Sequence, residues 1–423
     1  MIQRKDKPRL RAYGRPSHTE IAMKTTSRQR RAYQGPAILS LGFRPFFFGA
    51  GLWALVAMVL WVVVLATGWD IPGRFSGVDW HLHEFVFGYS SAVIAGFLLT
   101  AVPNWTGRMP VMGWPVAALA GLWLAGRATL LFSLYLPPLV APVMDLSFIA
   151  ALAVIIAREI IAGKNRRNLK VLVLLILIGL ANGLFHYEAY TGTGYDGYGI
   201  RAGVALVIML IMVVGGRIIP SFTRNWLMRQ PMGRLPVPMG GFDNATMMLS
   251  GFALMLWVAF PESMATRPVA ALAGMLNLVR LSRWAGDRSF REPLLAILHI
   301  GFFFVPYGFL TIAAGDFLPG WFRASQIPHA WTAGAIGLMT LAMLTRTSLG
   351  HSGRPLKATK TVTAIYALVL LGVLTRIAGE FLPDIAWLLH AAATFWILGF
   401  GVFSAYFIPV FFKPRVQKTP NLR

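Results

Sequence analysis

Residues 46–67 read FFFGAGLWALVAMVLWVVVLAT, an apolar run with no charged side chain. As a helix rising about 1.5 Å per residue, a run of this length crosses the roughly 30 Å hydrocarbon core of a bilayer. Polar and apolar residues do not alternate in it, so it does not read as a barrel strand. Eleven further apolar segments follow, near 84–103, 113–132, 139–158, 169–189, 200–219, 244–261, 267–284, 292–314, 328–346, 361–381 and 385–411. The seventh and eighth are the shortest. The expectation is an all-α polytopic membrane bundle of about twelve transmembrane helices in one domain, residues 41–412.

Composition agrees. Of 423 residues, 56% are hydrophobic and 13% charged, against about 25% charged in a soluble domain. The net charge of +23 sits in short loops and a tail, which makes it a topology signal and not a nucleic-acid footprint. One loop set holds Arg158, Lys164, Arg166, Arg167 and Lys170. Its parity mates hold Arg217, Arg224, Arg229 and Arg234, then Arg280, Arg283, Arg288 and Arg291, then Arg346, Arg354, Lys357 and Lys360. Loops of opposite parity hold Asp70, Asp79, Asp196, Glu262, Asp316 and Asp384. The positive-inside rule then places both termini in the cytoplasm, as an even helix count requires. Residues 1–40 read as a basic, disordered cytoplasmic tail without the apolar core of a signal peptide, although Met23 leaves a second start open. Residues 413–423 read as a C-terminal cytoplasmic tail.

The chain has no cysteine, which excludes disulfides, iron–sulfur clusters, thiolate copper and covalent haem attachment. Metal here must be held by histidine, methionine, carboxylate or backbone. Eight histidines are present, and the topology sets their depth. His81, His83, His186, His329 and His390 come from four helices and share one outer layer. His299 stands about 12 Å in from the inner side, His351 lies in an inner loop and His18 in the tail. Ionisable groups inside a membrane are rare and mark function by default, so all seven non-tail histidines are candidate metal ligands for iron or copper. His81 and His83 point about 200° apart on a helix, so they do not serve one metal together. His83, next to Glu84, is the stronger ligand candidate, paired with His329 or His390 on haem iron. Copper would draw on His81, His186 and the remaining histidines. Arg127, Arg201 and Arg376 are candidate clamps for haem propionates, although Arg376 and Glu380, at i,i+4 spacing, also suit a plain ion pair. Glu84, Glu188 and Glu380 are candidate proton relays. Tyr187 is a candidate proton donor beside the blander reading of an interfacial tyrosine.

Longer motifs carry a resemblance. They are Gly42-Phe43-Arg44-Pro45-Phe46-Phe47, Trp80-His81-Leu82-His83-Glu84, Phe87-Gly88-Tyr89, and the run from Ala95 to Gly107 that ends Pro103-Asn104-Trp105-Thr106-Gly107. Further along come Gly216-Arg217-Ile218-Ile219-Pro220-Ser221-Phe222-Thr223, His329-Ala330-Trp331-Thr332-Ala333-Gly334, Met339 to Arg346, and Gly350-His351-Ser352-Gly353-Arg354. From about residue 37 to its end the chain resembles the NnrS family of bacterial membrane proteins. Leu82, Phe85 and Val86 depart mildly from the family pattern. The resemblance implies a twelve-helix haem- and copper-containing membrane protein, tied to nitric oxide metabolism and nitrosative-stress tolerance in denitrifying and related bacteria; the expectation is haem b, with copper, in a bacterial inner-membrane protein. It carries over His81, His83, Glu84, His329 and His351. Two readings stay open. In one, the metals reduce nitric oxide to nitrous oxide, with two electrons and two protons per pair of molecules and a membrane or periplasmic electron donor. In the other, a non-redox transporter or sensor handles copper or metal–nitrosyl species along a polar line from the outer histidines through His299 to His351.

Overall fold

The structure, a computed structural model, describes residues 33–315 and 327–416. The expected tails therefore lie outside the described residues over 1–32 and 417–423. Among the described residues there is no strand, and twelve long helices account for the architecture. They are α1 (Phe43–Thr67), α2 (Gly77–Thr106), α3 (Trp114–Leu131), α4 (Val140–Ala162), α5 (Leu169–Tyr190) and α6 (Tyr198–Leu227). There follow α7 (Gly241–Ala259), α8 (Thr266–Ser282), α9 (Pro293–Ala314), α10 (residues 330–351), α11 (Lys360–Phe381) and α12 (Trp387–Phe412). Ten of them are long and apolar enough to cross a membrane. The other two are α8, with 17 residues, and α10, whose first part, Ala330–Leu338, is wound as a π-helix before it continues as Met339–His351.

Helix α2 runs through the middle of the molecule. Its apolar window is 89% buried, against 22% for α1. Helices α1 and α4 pack on it, α6 packs on α9, and α10 lies between α9 and α11. Helix α12 closes the bundle against α1 and α11. The start of α1 meets the end of α12, because Arg44 Nη1 donates to the carbonyls of Phe411 at 3.0 Å and Lys413 at 2.7 Å. Nearer the start, the amide of Gly113 donates to Leu39 O, so the segment before α1 is tied to the start of α3.

Two helices contain wide π turns, Glu84–Tyr89 in α2 and Ala330–Leu338 in α10. Such turns shift the register of the side chains that follow and are frequent at functional sites. Hydroxyls take up carbonyls in and beside the wide turns. Ser90 Oγ donates to Phe85 O at 3.0 Å, and Thr340 Oγ1 donates to Ile336 O at 2.5 Å. Tyr89 and Thr340 then join the two helices through their hydroxyls at 2.7 Å.

We propose, from the charge pattern of the loops, that both termini lie in the cytoplasm. With no native cysteine, single cysteines can test that. A thiol at Met264→Cys, in an acidic-side loop, is expected to react with an impermeant maleimide in intact cells, and one at Met232→Cys only after permeabilisation. The opposite labelling pattern would invert the topology.

Candidate functional site

Both histidines of α2 lie in the half of the bundle remote from the chain ends, and they face different neighbours. His83 is fully buried and points toward α4 and α5. Its Nδ1 lies 3.2 Å from Glu84 Oε1, and its Nε2 lies 3.1 Å from Asp145 Oδ2 and 2.9 Å from Asn182 Oδ1. The same Asp145 oxygen stands 3.1 Å from His186 Nε2 and accepts from Asn182 Nδ2 at 2.7 Å. Arg127, from α3, closes the group. Its Nη1 donates to Glu84 Oε2 at 2.9 Å and its Nη2 to Asp145 Oδ1. Trp53 of α1 donates to Glu84 Oε2 at 2.7 Å. Five helices thus meet on two carboxylates.

The space for this cluster is made by missing side chains. A Cβ on Gly88 would stand 2.5 Å from Glu84 Oε2 and closer still to Arg127, and one on Gly126 would crowd Asp145. Phe75 shields the group, with its ring 5.6 Å from that of His83 and 5.3 Å from that of His186.

The donor set suits a transition metal. His83, Asp145 and His186 each offer one ligand atom, all within 4.8 Å of one another, and imidazole with carboxylate binds iron, copper and zinc. With neutral imidazoles the charges are two carboxylates against one guanidinium. Both nitrogens of His83 face acceptor oxygens. One more positive charge therefore balances the cluster, either a second ring proton on His83 or a bound cation.

His81 turns the other way. Its ring stacks on Trp61 with centroids 4.5 Å apart, and it lines a cavity of about 360 Å³ between α1, α2, α10, α11 and α12. His329, Arg376 and His390 line the same cavity, with Tyr89 and Trp396 among its aromatic walls. His329 Nδ1 is 2.6 Å from Glu380 Oε1, and Arg376 Nη1 stands 3.9 Å from the same oxygen. A mostly apolar pocket of this size with a few convergent polar groups has the character of a cofactor site.

A family model described as NnrS protein matches residues 37–415. The chain belongs to the NnrS family. Membership makes it a membrane protein associated with nitric oxide. A comparison with curated proteins finds no match.

Within this NnrS chain the expected residues divide into three sets. His83, Glu84, Arg127 and His186 meet in the buried cluster. His81, His329, His390, Arg376 and Glu380 meet in or beside the cavity. The expected pairing of His83 with His329 or His390 is corrected, because the rotation of α2 that aims His81 into the cavity aims His83 away from it. Arg127 is not on the cavity either, since the two buried carboxylates hold it. The third set lies elsewhere. Glu188 accepts from the amides of Tyr198 and Gly199, each at 2.8 Å, and so caps the start of α6. Tyr187 is exposed. Arg201 donates to Asp196 O at 2.8 Å and Val258 O at 3.3 Å. His299 Nε2 pairs with Thr223 Oγ1 at 2.9 Å toward the chain-end side. The His351 ring lies 6.0 Å from that of Phe43, at the end of α10.

Asp145 and Asn182 were missed. A signal existed for Asp145, an acid inside the apolar run 139–158. An ionisable residue in that position is as strong a marker as a histidine.

Removing one partner of a buried ion pair leaves an unneutralised charge and costs about 3–5 kcal/mol. Arg127→Met is therefore expected to lower the thermal unfolding midpoint in detergent sharply, and Gly88→Ala to do so by crowding the same guanidinium. A change within about 0.5 kcal/mol, typical of a neutral surface substitution, would contradict the assignment.

Proposed function

We propose that this NnrS-family protein holds haem b in the cavity lined by His81, His329 and His390 and acts on nitric oxide there. The observation that carries the reading is the convergence of three imidazoles, from α2, the start of α10 and α12, on one apolar cavity that also receives a guanidinium. Haem is flat and apolar, takes axial imidazole and presents propionates to cations. Imidazoles and aromatic walls supply the first needs, and of the candidate clamps Arg127, Arg201 and Arg376 it is Arg376 that lines this cavity. The buried cluster fits copper as the second metal, held by His83, His186 and Asp145 with Asn182 beside them. A cuprous ion would supply the single positive charge that the cluster lacks.

The chemistry these metals supply when bound is reversible binding and one-electron reduction of nitric oxide. The protein's residues prepare the site for it. Leu65, Val78 and Leu389 stand exposed at the cavity rim, so a small, weakly polar gas can enter from the lipid. Trp61 stacks on the His81 ring and Phe85 packs against it at a tilt. Reduction to nitrous oxide consumes two protons per pair of nitric oxide molecules, and Glu380 is the carboxylate nearest the cavity histidines that can pass them. In this reading the protein sits in the bacterial inner membrane, with the site in the outer half and electrons drawn from a membrane or periplasmic donor.

The transporter reading needed His299 and His351 to continue the polar line. Neither lines the cavity, and His299 is engaged with Thr223.

Protein made under haem-replete conditions is expected to show a haem b absorption spectrum that shifts on adding nitric oxide, with iron and copper both counted in the sample. His329→Ala is expected to lose most of the iron and keep the copper, and His186→Ala the reverse. Wild-type protein without haem would sink the proposal.

A further inference from the structure

The histidines that line the cavity are not equivalent, and the difference lies in what holds their second ring nitrogen. His329 Nδ1 is bound to Glu380 Oε1 at 2.6 Å. A contact this short to a carboxylate fixes the Nδ1–H tautomer and leaves the Nε2 lone pair free for a metal. Arg376, one helical turn before Glu380 on α11, stands 3.9 Å from the same oxygen. A ligating imidazole whose other N–H meets a carboxylate is oriented and made more basic.

His81 has no such support. Its Nδ1 is buried and has no hydrogen-bond partner. Only aromatic contacts fix its ring, a stack on Trp61 at 4.5 Å and a tilted contact with Phe85 at 5.0 Å. Stacking holds a ring plane and adds no basicity to the ligand nitrogen. His390 is exposed at the mouth of the cavity.

We propose that Glu380 is the positioning residue that makes His329 the permanent metal ligand of the cavity, and that His81 marks the exchangeable side, where a small diatomic ligand takes its place. This rests on the reading that the cavity holds haem. It also reassigns Glu380, which works here chiefly through His329.

The test is resonance Raman spectroscopy and redox titration of detergent-purified wild-type, Glu380→Gln and Glu380→Asp proteins, with haem content measured on each. Glu380→Gln is expected to lower the iron–histidine stretching frequency of the reduced protein and to raise the midpoint potential, and Glu380→Asp to restore both in part. A role in folding alone would change haem content without moving either quantity in the haem that remains. His81→Ala and His329→Ala guard against a Glu380→Gln protein that fails to fold. His81→Ala is expected to keep haem and bind nitric oxide or carbon monoxide at least as tightly, whereas His329→Ala loses haem. Haem-loaded Glu380→Gln with unchanged frequency and potential overturns the proposal while leaving the cavity reading intact. Retention of haem by His329→Ala with its loss from His81→Ala also overturns it. Wild-type protein that takes up no haem overturns the cavity reading itself.

Discussion

A guanidinium buried among apolar helices has to be neutralised where it stands, and Arg127 takes its two carboxylates from two other helices. Glu84 comes from α2 and Asp145 from α4. Each carboxylate has further partners, Trp53 on one side and Asn182, His83 and His186 on the other. In a low-dielectric interior such a network holds only when its members are satisfied together. Helices α1 to α5 are therefore fixed around one point by polar contacts, in a bundle where packing between apolar faces alone specifies little.

That fixed point sets the rotation of α2, and the rotation of α2 creates the second site. With His83 and Glu84 held inward, His81 must emerge on the opposite face, against Trp61 and into the cavity. The π turn Glu84–Tyr89 follows directly and carries Phe85 and Tyr89 onto the cavity wall. Helix α10 meets it with its own π segment, entered just after His329. One helix thus serves two sites, a buried charged one and a mostly apolar one open at its rim.

Much of this was legible in the sequence, and what was not has a physical cause. Apolar run length gives the twelve long helices, ten of them long and apolar enough to cross a membrane, and loop charge gives the expected alternation from which the depth of each histidine is inferred. Depth reasoning gathers His81, His83, His186, His329 and His390 into one expected layer. It says nothing about position around the bundle, and His83 was accordingly matched with His329 when its neighbours are His186 and Asp145. The 200° separation of His81 and His83 was readable from helix geometry. The partner each would find depended on tertiary packing. Glu188 shows the converse. An acid near a helix end reads equally well as a proton relay or as a cap, and only the amides of Tyr198 and Gly199 decide for the cap. Asp145 is legible as an acid in an apolar run, but its partners come from α2, α3 and α5 and no local spacing names them.

The central claim is that two residues two positions apart on α2, His81 and His83, belong to different sites. The most direct measurement is the absorption spectrum and metal content of His81→Ala and His83→Ala, prepared side by side. The account predicts that His81→Ala alters the haem spectrum with copper unchanged, and that His83→Ala loses copper with the haem spectrum intact. If both substitutions disturb the same metal in the same way, the division of α2 into two faces is wrong.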